Sequence, residues 1–297
     1  MTVRVLLTGG SGQLGQELQN QEWPDGWVLD APTRAELDLA DAAALARRAG
    51  EGGYAAIING GAYTKVDAAE SDAIAAWQVN ALAPAALAAG AATAGIPIVQ
   101  VSTDYVFDGS SDRPWRPSDP IAPLSVYGAS KAGGELAVRA SGARHAILRT
   151  AWVVSEHGHN FVKTMLRMAA ERPALGIVAD QHGSPTAAAD LATAVRVVTE
   201  RLVNDPSLAS GTWHVANRGF ATWFDLAGHL LREAAALGHP LPVLEALTTA
   251  DYPTPARRPG NSRLDISEFE REFAVSPPPW QQSVSRIVRA VFEKDYR

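Results

Sequence analysis

Val3-Arg4-Val5-Leu6-Leu7-Thr8-Gly9-Gly10-Ser11-Gly12-Gln13-Leu14-Gly15 reads as a buried strand, a glycine-rich turn and the opening of a helix. A short aliphatic run ending in glycine is the pattern of a parallel strand covered on both faces. Gly9, Gly12 and Gly15 permit a tight turn, close approach of a pyrophosphate to backbone N–H groups, and close packing of helix on strand. An ordinary glycine turn needs only one or two of them. Gln13 and Leu14 stand in the first helical turn, where the helix N-terminus favours an anion. The loop lacks the Gly-Lys-Ser/Thr ending of a P-loop, so the reading is dinucleotide binding.

Outward from this stretch, short aliphatic runs alternate with helical patterns. Strands are expected at 27–29, 55–58, 97–101 and 146–149, and helices at 13–20, 41–49 and 67–94, the last broken near Pro84. This rhythm predicts an α/β fold, a Rossmann-type doubly wound parallel sheet. Residues 108–125, rich in Pro, Ser and Asp, form a surface excursion before the helix that carries Tyr127. Beyond 150 the pattern loosens, with helices expected at 161–171, 188–202, 223–236 and 281–292 and short strands at 175–178 and 211–215. The recurring prolines predict long, fixed loops in the last 50 residues. The expected division is a dinucleotide-binding domain over 1–150, also receiving later segments, and a smaller substrate-binding lobe formed mainly by 151–297.

Hydrophobic residues make up 46% of the 297, which excludes wholesale disorder. The net charge of −6, without a Lys/Arg-rich block, argues against a nucleic-acid partner. With no cysteine, disulfides and thiolate chemistry are excluded. No run of 18 apolar residues offers a membrane span, and the apolar start is too short for a signal peptide, so a cytoplasmic location is expected.

Tyr127 and Lys131, four residues apart, share a helix face. A lysine cation beside a tyrosine favours the phenolate and is expected to lower the phenol pKa from about 10. Such a pair suits proton delivery to a carbonyl oxygen receiving hydride. Thr103, after the fourth strand, would polarise and orient that carbonyl, although Ser102 and Thr103 equally suit capping a loop. Asp30, after the second strand, is placed to bind an adenosine ribose and favour NADH, while nearby Arg34 would meet a 2′-phosphate and favour NADPH. Asp38 and Leu39 are candidates for adenine contact, and Ala62, Tyr63 and Thr64 for the cleft wall. Of the seven histidines, His157, His159, His182, His214 and His229 are too scattered for a zinc site.

The chain resembles the extended short-chain dehydrogenase/reductase superfamily and, within it, the dTDP-4-dehydrorhamnose reductase family. Beyond the glycine turn and the Tyr/Lys spacing, which mark only the superfamily, the resemblance rests on Ala62-Tyr63-Thr64-Lys65-Val66-Asp67-Ala68-Ala69-Glu70, Ser102-Thr103-Asp104-Tyr105-Val106-Phe107-Asp108-Gly109 and Arg149-Thr150-Ala151-Trp152-Val153. Asp180-Gln181-His182-Gly183-Ser184-Pro185-Thr186 and the long stretch from Tyr252 to Asp265 are the more specific marks. The resemblance implies reduction of the 4-keto group of dTDP-4-dehydro-6-deoxy-L-mannose by NADPH or NADH. It carries catalytic roles onto Thr103, Tyr127 and Lys131, and substrate contacts onto or near Asp104, Val106, Phe107, Trp152 and Arg257. The Trp152 ring is suited to a sugar or nicotinamide face, or equally to the core. Arg257 and Arg258 in a proline-stiffened loop suit a diphosphate. A homodimer is expected as in many relatives. Some members hold a structural magnesium ion, but no carboxylate cluster in the sequence commits this chain to one.

Three departures are visible: Tyr63 stands where histidine is common, Gly60-Gly61 where alanine-type residues are common, and Val154 where an aromatic is common. Two other readings compete. A nucleotide-sugar dehydratase needs an Asp-Glu pair after the threonine, whereas Tyr105 follows Asp104 here, and an epimerase would consume no reductant. A non-enzymatic cofactor-binding subunit is opposed by the intact Thr103, Tyr127 and Lys131.

Overall fold

The computed structural model describes residues 2–295. Its main sheet takes β1 Val3–Thr8, β2 Trp27–Asp30, β3 Ala56–Asn59, β4 Ile98–Thr103, β5 His145–Thr150 and β10 Gly211–His214 in the order β10-β5-β4-β3-β1-β2. All neighbours run parallel. The chain leaves β1 toward β2 and returns on the other side to β3, which opens a crevice above the carboxyl ends of β1 and β3.

Strand parity explains why the sheet is buried on both faces. Val5 and Leu7 of β1, Ala56 and Ile58 of β3 and Leu148 of β5 join one core with α1 Gln13–Gln19 and α8 Ala188–Asn204. The intervening Leu6, Ile57 and Ile147 enter the opposite core, beneath α2 Ala42–Glu51, α5 Ala83–Ala94 and α6 Val126–Ala140. Successive side chains point to opposite faces, so near-continuous aliphatic strands are what a sheet between two helical layers requires. α2 and α5 pack through small residues: a Cβ on Gly90 would stand 2.5 Å from the Ala46 carbonyl oxygen.

The expected helix over 67–94 is differently divided. It consists of α3 Val66–Ala69, α4 Ala73–Trp77, a π-helical turn Gln78–Leu82 and then α5. Pro84 lies inside the continuous helical stretch Ala73–Ala94, two residues after the π turn Gln78–Leu82, so the break expected near the proline is that turn, where the Asn80 carbonyl has no Pro84 N–H to accept from. The turn buries Asn80, and a second interruption falls at 70–72. By length and composition Ala73–Ala94 would pass for a membrane span. Here its pieces pack against α2 and α6.

The second lobe combines α7 Phe161–Glu171, α9 Trp223–Ala235 and α11 Trp280–Asp295 around a separate core. Three two-stranded pairs edge it: β7 Ala174–Val178 with β12 Val243–Leu247, β6 Val153–Val154 with β9 Thr186–Ala187, and β8 His182–Gly183 with β11 Ala221–Thr222. The chain interleaves the lobes, because α8 and β10 both return to the main sheet. The proline-rich tail is less irregular than expected, since α10 Ser267–Phe273 seats Phe269 and Phe273 in the first core.

A buried ion pair ties α6 to two strands. Glu135 accepts from the Ser102 hydroxyl at 2.6 Å and from Arg149 Nε and Nη2, each at 2.8 Å. Both ionic side chains are almost wholly enclosed, at 0% and 2% exposure. Burial works to raise the Glu135 pKa, but Arg149 and Ser102 outweigh it and hold it below the ordinary value. Glu135→Gln would leave the Arg149 cation buried without its counter-charge, and should cost about 3–5 kcal/mol in urea unfolding at neutral pH. Because the folded-state pKa is depressed, this contribution is present above the ordinary carboxylate range and fades as pH falls through the folded value, so the deficit should shrink in acid. A neutral-pH loss under about 1 kcal/mol would equate the pair with a surface contact.

Candidate active site

A cleft of about 940 Å³ lies over the carboxyl ends of the strands, with the glycine turn at one end and Thr103, Tyr127, Lys131 and Trp152 at the other. The glycine turn is built by sterics. Gly9 adopts φ +76°, and a Cβ on Gly15 would fall 2.1 Å from the Gly9 carbonyl oxygen. Gly12 caps α1 with no side-chain partner for the first N–H groups, which leaves those of Gln13 and Leu14 at the cleft. This cradle fits a dinucleotide pyrophosphate. At the Gly60-Gly61 departure, a Cβ on Gly61 would lie 2.5 Å from Leu39 Cδ1 and one on Gly60 3.2 Å from the Thr8 carbonyl oxygen. Beneath the turn a buried ladder aligns three strand ends: Thr8 Oγ1 donates to Asn59 Oδ1 at 2.5 Å, and Asn59 Nδ2 to Gln100 Oε1 at 2.7 Å.

Arg34, Asp38, Leu39, Ala62, Tyr63 and Thr64 all line the cleft, but Asp30 does not. The Asp30 carboxylate accepts from the Tyr54 hydroxyl, from Arg48 at 2.8 Å and from Arg4 at 3.2 Å. Desolvation opposes its charge, yet these donors hold its pKa below the ordinary value. Its register opposite Leu6 places it below the strand end. In this structure Asp30 is thus engaged by Tyr54, Arg48 and Arg4 outside the cleft lining. Arg34 keeps 85% of its side chain exposed and stands 3.5 Å from Asp38.

At the reacting end, the Thr103 hydroxyl donates to Asp104 Oδ1 at 2.8 Å and accepts from the Tyr105 N–H at 3.2 Å. Tyr127 packs edge-on to Tyr105, with ring centroids 5.4 Å apart. Burial pushes its phenol up to about 12; the neighbouring Thr103 hydroxyl opposes this and the Asp104 charge adds to it. The expected lowering by Lys131 is thus corrected. The ammonium donates to the Val101 carbonyl at 2.7 Å, and burial pushes its own pKa down to about 8 against the pull of Glu135. Desolvation is the leading cause in both groups, and neither is among the causes of the other's shift.

Asn80 was missed in the sequence. Its side chain accepts from the Tyr63 N–H at 2.9 Å and donates to the Ser130 hydroxyl at 3.0 Å, so the π turn joins the cleft wall to α6. No residue pattern announces that turn.

Trp152 is resolved between its two readings. It holds φ 46° and stacks on Trp223 at 3.6 Å, with a 9° interplanar angle, while also lining the cleft. A Cβ on Gly183 would lie 2.3 Å from the Trp152 ring. Val106 and Phe107 are corrected outright: both are fully buried, and Phe107 stacks on Trp115 at 4.6 Å. Arg257 is exposed and outside the cleft lining. Arg258, also assigned to a diphosphate, is committed to a bidentate pair with Asp67 at 2.9 Å on both arms.

His214 is buried and pushed down to about 3, chiefly by desolvation with the Arg149 charge adding, so it is neutral core. Glu17, Glu156 and His157 do form a cluster within 4.8 Å, unseen in the sequence because its members lie in separate segments. One imidazole with two carboxylates is not the oxygen-only shell that magnesium prefers, and the donor set does not fit that ion.

The sequence model described as RmlD substrate binding domain matches residues 3–292. A dTDP-4-dehydrorhamnose reductase of Sinorhizobium fredii is 39% identical over 290 residues, covering 97% of this chain and 98% of that protein. The crystal structure of a dTDP-4-dehydrorhamnose reductase from Clostridium acetobutylicum superposes with a TM-score of 0.89 at 34% identity, covering 97% and 99% of the two chains. That of the Bacillus anthracis dTDP-4-dehydrorhamnose reductase in complex with NADP gives 0.88 at 32% identity, covering 98% and 100%. Sequence and architecture agree along nearly the whole length, and the chain belongs to the RmlD substrate binding domain family.

Proposed function

We propose that this chain catalyses the NAD(P)H-dependent reduction of the 4-keto group of dTDP-4-dehydro-6-deoxy-L-mannose to dTDP-L-rhamnose. The observation that carries the reading is the meeting of Thr103, Tyr127 and Lys131 on one wall of a cleft whose far end is a dinucleotide cradle. Its relatives bear the name of this reaction, and one was solved with NADP.

The bound nicotinamide cofactor supplies the hydride. The protein's part is positioning and proton supply. Tyr127 holds its proton throughout the neutral range, with its phenol pushed up to about 12, and so stands ready as an acid toward the oxygen that becomes the 4-hydroxyl. The developing alkoxide is a stronger base than the ketone, so the transfer runs downhill only as the hydride arrives. Thr103 orients the same oxygen. Lys131, which here donates to the Val101 carbonyl, would hold the cofactor ribose and support the phenol. Trp152, braced by Trp223, forms the wall against the sugar. A dehydratase is disfavoured because Tyr105, not a second carboxylate, follows Asp104.

Asp30 is engaged by Arg4, Arg48 and Tyr54, while Arg34, largely exposed and paired only with Asp38 at 3.5 Å, lines the cleft. This arrangement favours a 2′-phosphate and therefore NADPH.

Three outcomes test the reading, each followed by NAD(P)H absorbance with the keto-sugar as acceptor. Tyr127→Phe should lower kcat by about 10²–10⁴-fold while leaving cofactor affinity intact, and unchanged turnover would sink the mechanism. Arg34→Ala should lower kcat/KM for NADPH by about tenfold or more and spare NADH, matching the loss of one charge-assisted hydrogen bond. An equal loss with both cofactors would remove Arg34 from the selection. Gly183→Ala should displace Trp152 and cost up to about 100-fold in kcat/KM, the usual scale for misplacing a binding wall by an ångström. Wild-type kinetics in that variant would mean the stack has no part in substrate binding.

A further inference from the structure

A threonine hydroxyl has one proton, and that of Thr103 is spent inside the protein. It goes to Asp104 Oδ1 at 2.8 Å, while the oxygen accepts from the Tyr105 N–H at 3.2 Å. In this arrangement Thr103 has nothing to donate to a substrate carbonyl. Rotating it away would strip the Asp104 carboxylate of its side-chain donor. Asp104 is buried, and its second oxygen makes no hydrogen bond of good geometry. Ser262 lies close by from the second lobe, but its hydroxyl donates to the His182 carbonyl at 3.3 Å. The Asp104 and Tyr105 backbone groups also support the carboxylate, but Thr103 is the side-chain donor with the greatest effect on it, so losing that bond in a buried site is costly.

We infer that Asp104 is a positioning residue that sets which way the Thr103 hydroxyl faces: as a carboxylate it holds the threonine proton, and as a carboxylic acid it donates to the threonine oxygen and releases that proton toward the substrate carbonyl. This inference rests on the reduction proposed above and assigns Asp104, which lines the cleft beside Thr103, a task toward that hydroxyl. The reversed bond keeps every partner satisfied, because the acid proton on Oδ1 simply replaces the hydroxyl proton between the same two oxygens. Burial already lifts the Asp104 pKa to about 6, against the lowering by Thr103. The titratable groups packed against it are the phenols of Tyr105, on the same turn, and Tyr127, on α6, and both are pushed up. Arg258 acts on Tyr105 from the second lobe, in the opposite sense.

A raised carboxyl pKa means that the active form predominates below it and declines above it. The single-turnover rate of hydride transfer to the keto-sugar should therefore fall as pH rises from about 6, approaching tenfold per unit. Asp104→Asn should abolish this inflection and leave any change near the Lys131 value of about 8 in place. An inflection that persists in Asp104→Asn, or a wild-type rate flat from about pH 5 to 7.5, overturns the inference. Carbon-13 NMR of wild-type protein labelled at aspartate carboxyls needs neither a variant nor turnover. One carboxyl should titrate at about 6, and titration of every aspartate below about 5 overturns the inference. Absence of keto-sugar reduction at any pH would instead overturn the proposed function, while this titration would still decide the state of Asp104.

Discussion

The carboxylate of Glu135 holds the reacting end together. It bonds Ser102 at the end of β4 and Arg149 on β5, while its own helix, α6, carries Tyr127 two turns earlier. Helix and strand are thereby fixed in register at the one place where Thr103 must meet Tyr127. Arg149 in turn faces the Phe107 ring at 5.1 Å and donates to the Pro117 carbonyl at 3.1 Å. The surface excursion after β4 is thus anchored from below. An apolar core could bury the same area, but it would let α6 slide, whereas charged hydrogen bonds have fixed lengths and directions.

At the opposite end the constraint is empty space rather than charge. The glycine turn, the Gly60-Gly61 loop and the Thr8–Asn59–Gln100 ladder bring three strand ends close enough that no Cβ fits between them. The two ends are built by different physics and meet over a single cleft. Asn80 links them, because its amide joins the segment after β3 to Ser130 on α6. That bridge exists only because a π turn points one polar side chain inward.

Much of this was legible in the sequence, for identifiable reasons. Strand parity, the glycine spacing and the Tyr127/Lys131 interval are local patterns, and local patterns follow from backbone geometry. What was not legible depended on partners distant in the chain. Asp30 has the right position for a ribose ligand, and only the fold reveals that Arg4, Arg48 and Tyr54 arrive first. Val106 and Phe107 sit beside true cleft residues, yet the short helical turn after Thr103 rotates them into the core. Pro84 marked a disturbance in the helix, but only the fold shows that it takes the form of a π turn rather than a break. The phenol and ammonium both line the cleft, but burial, which the sequence does not show, governs the proton affinity of each.

The pair between Asp67 and Arg258 spans 191 positions of sequence and clamps the proline-rich loop onto α3. Neither residue is useful without the other, since Arg258 also organises Thr254 and the Ala256 carbonyl around the shared carboxylate. Recombination between distant homologues would therefore be filtered at this point. A crossover anywhere between the two positions joins halves with separate histories, and it yields a closed cleft only if both parents carry the same acid and the same base.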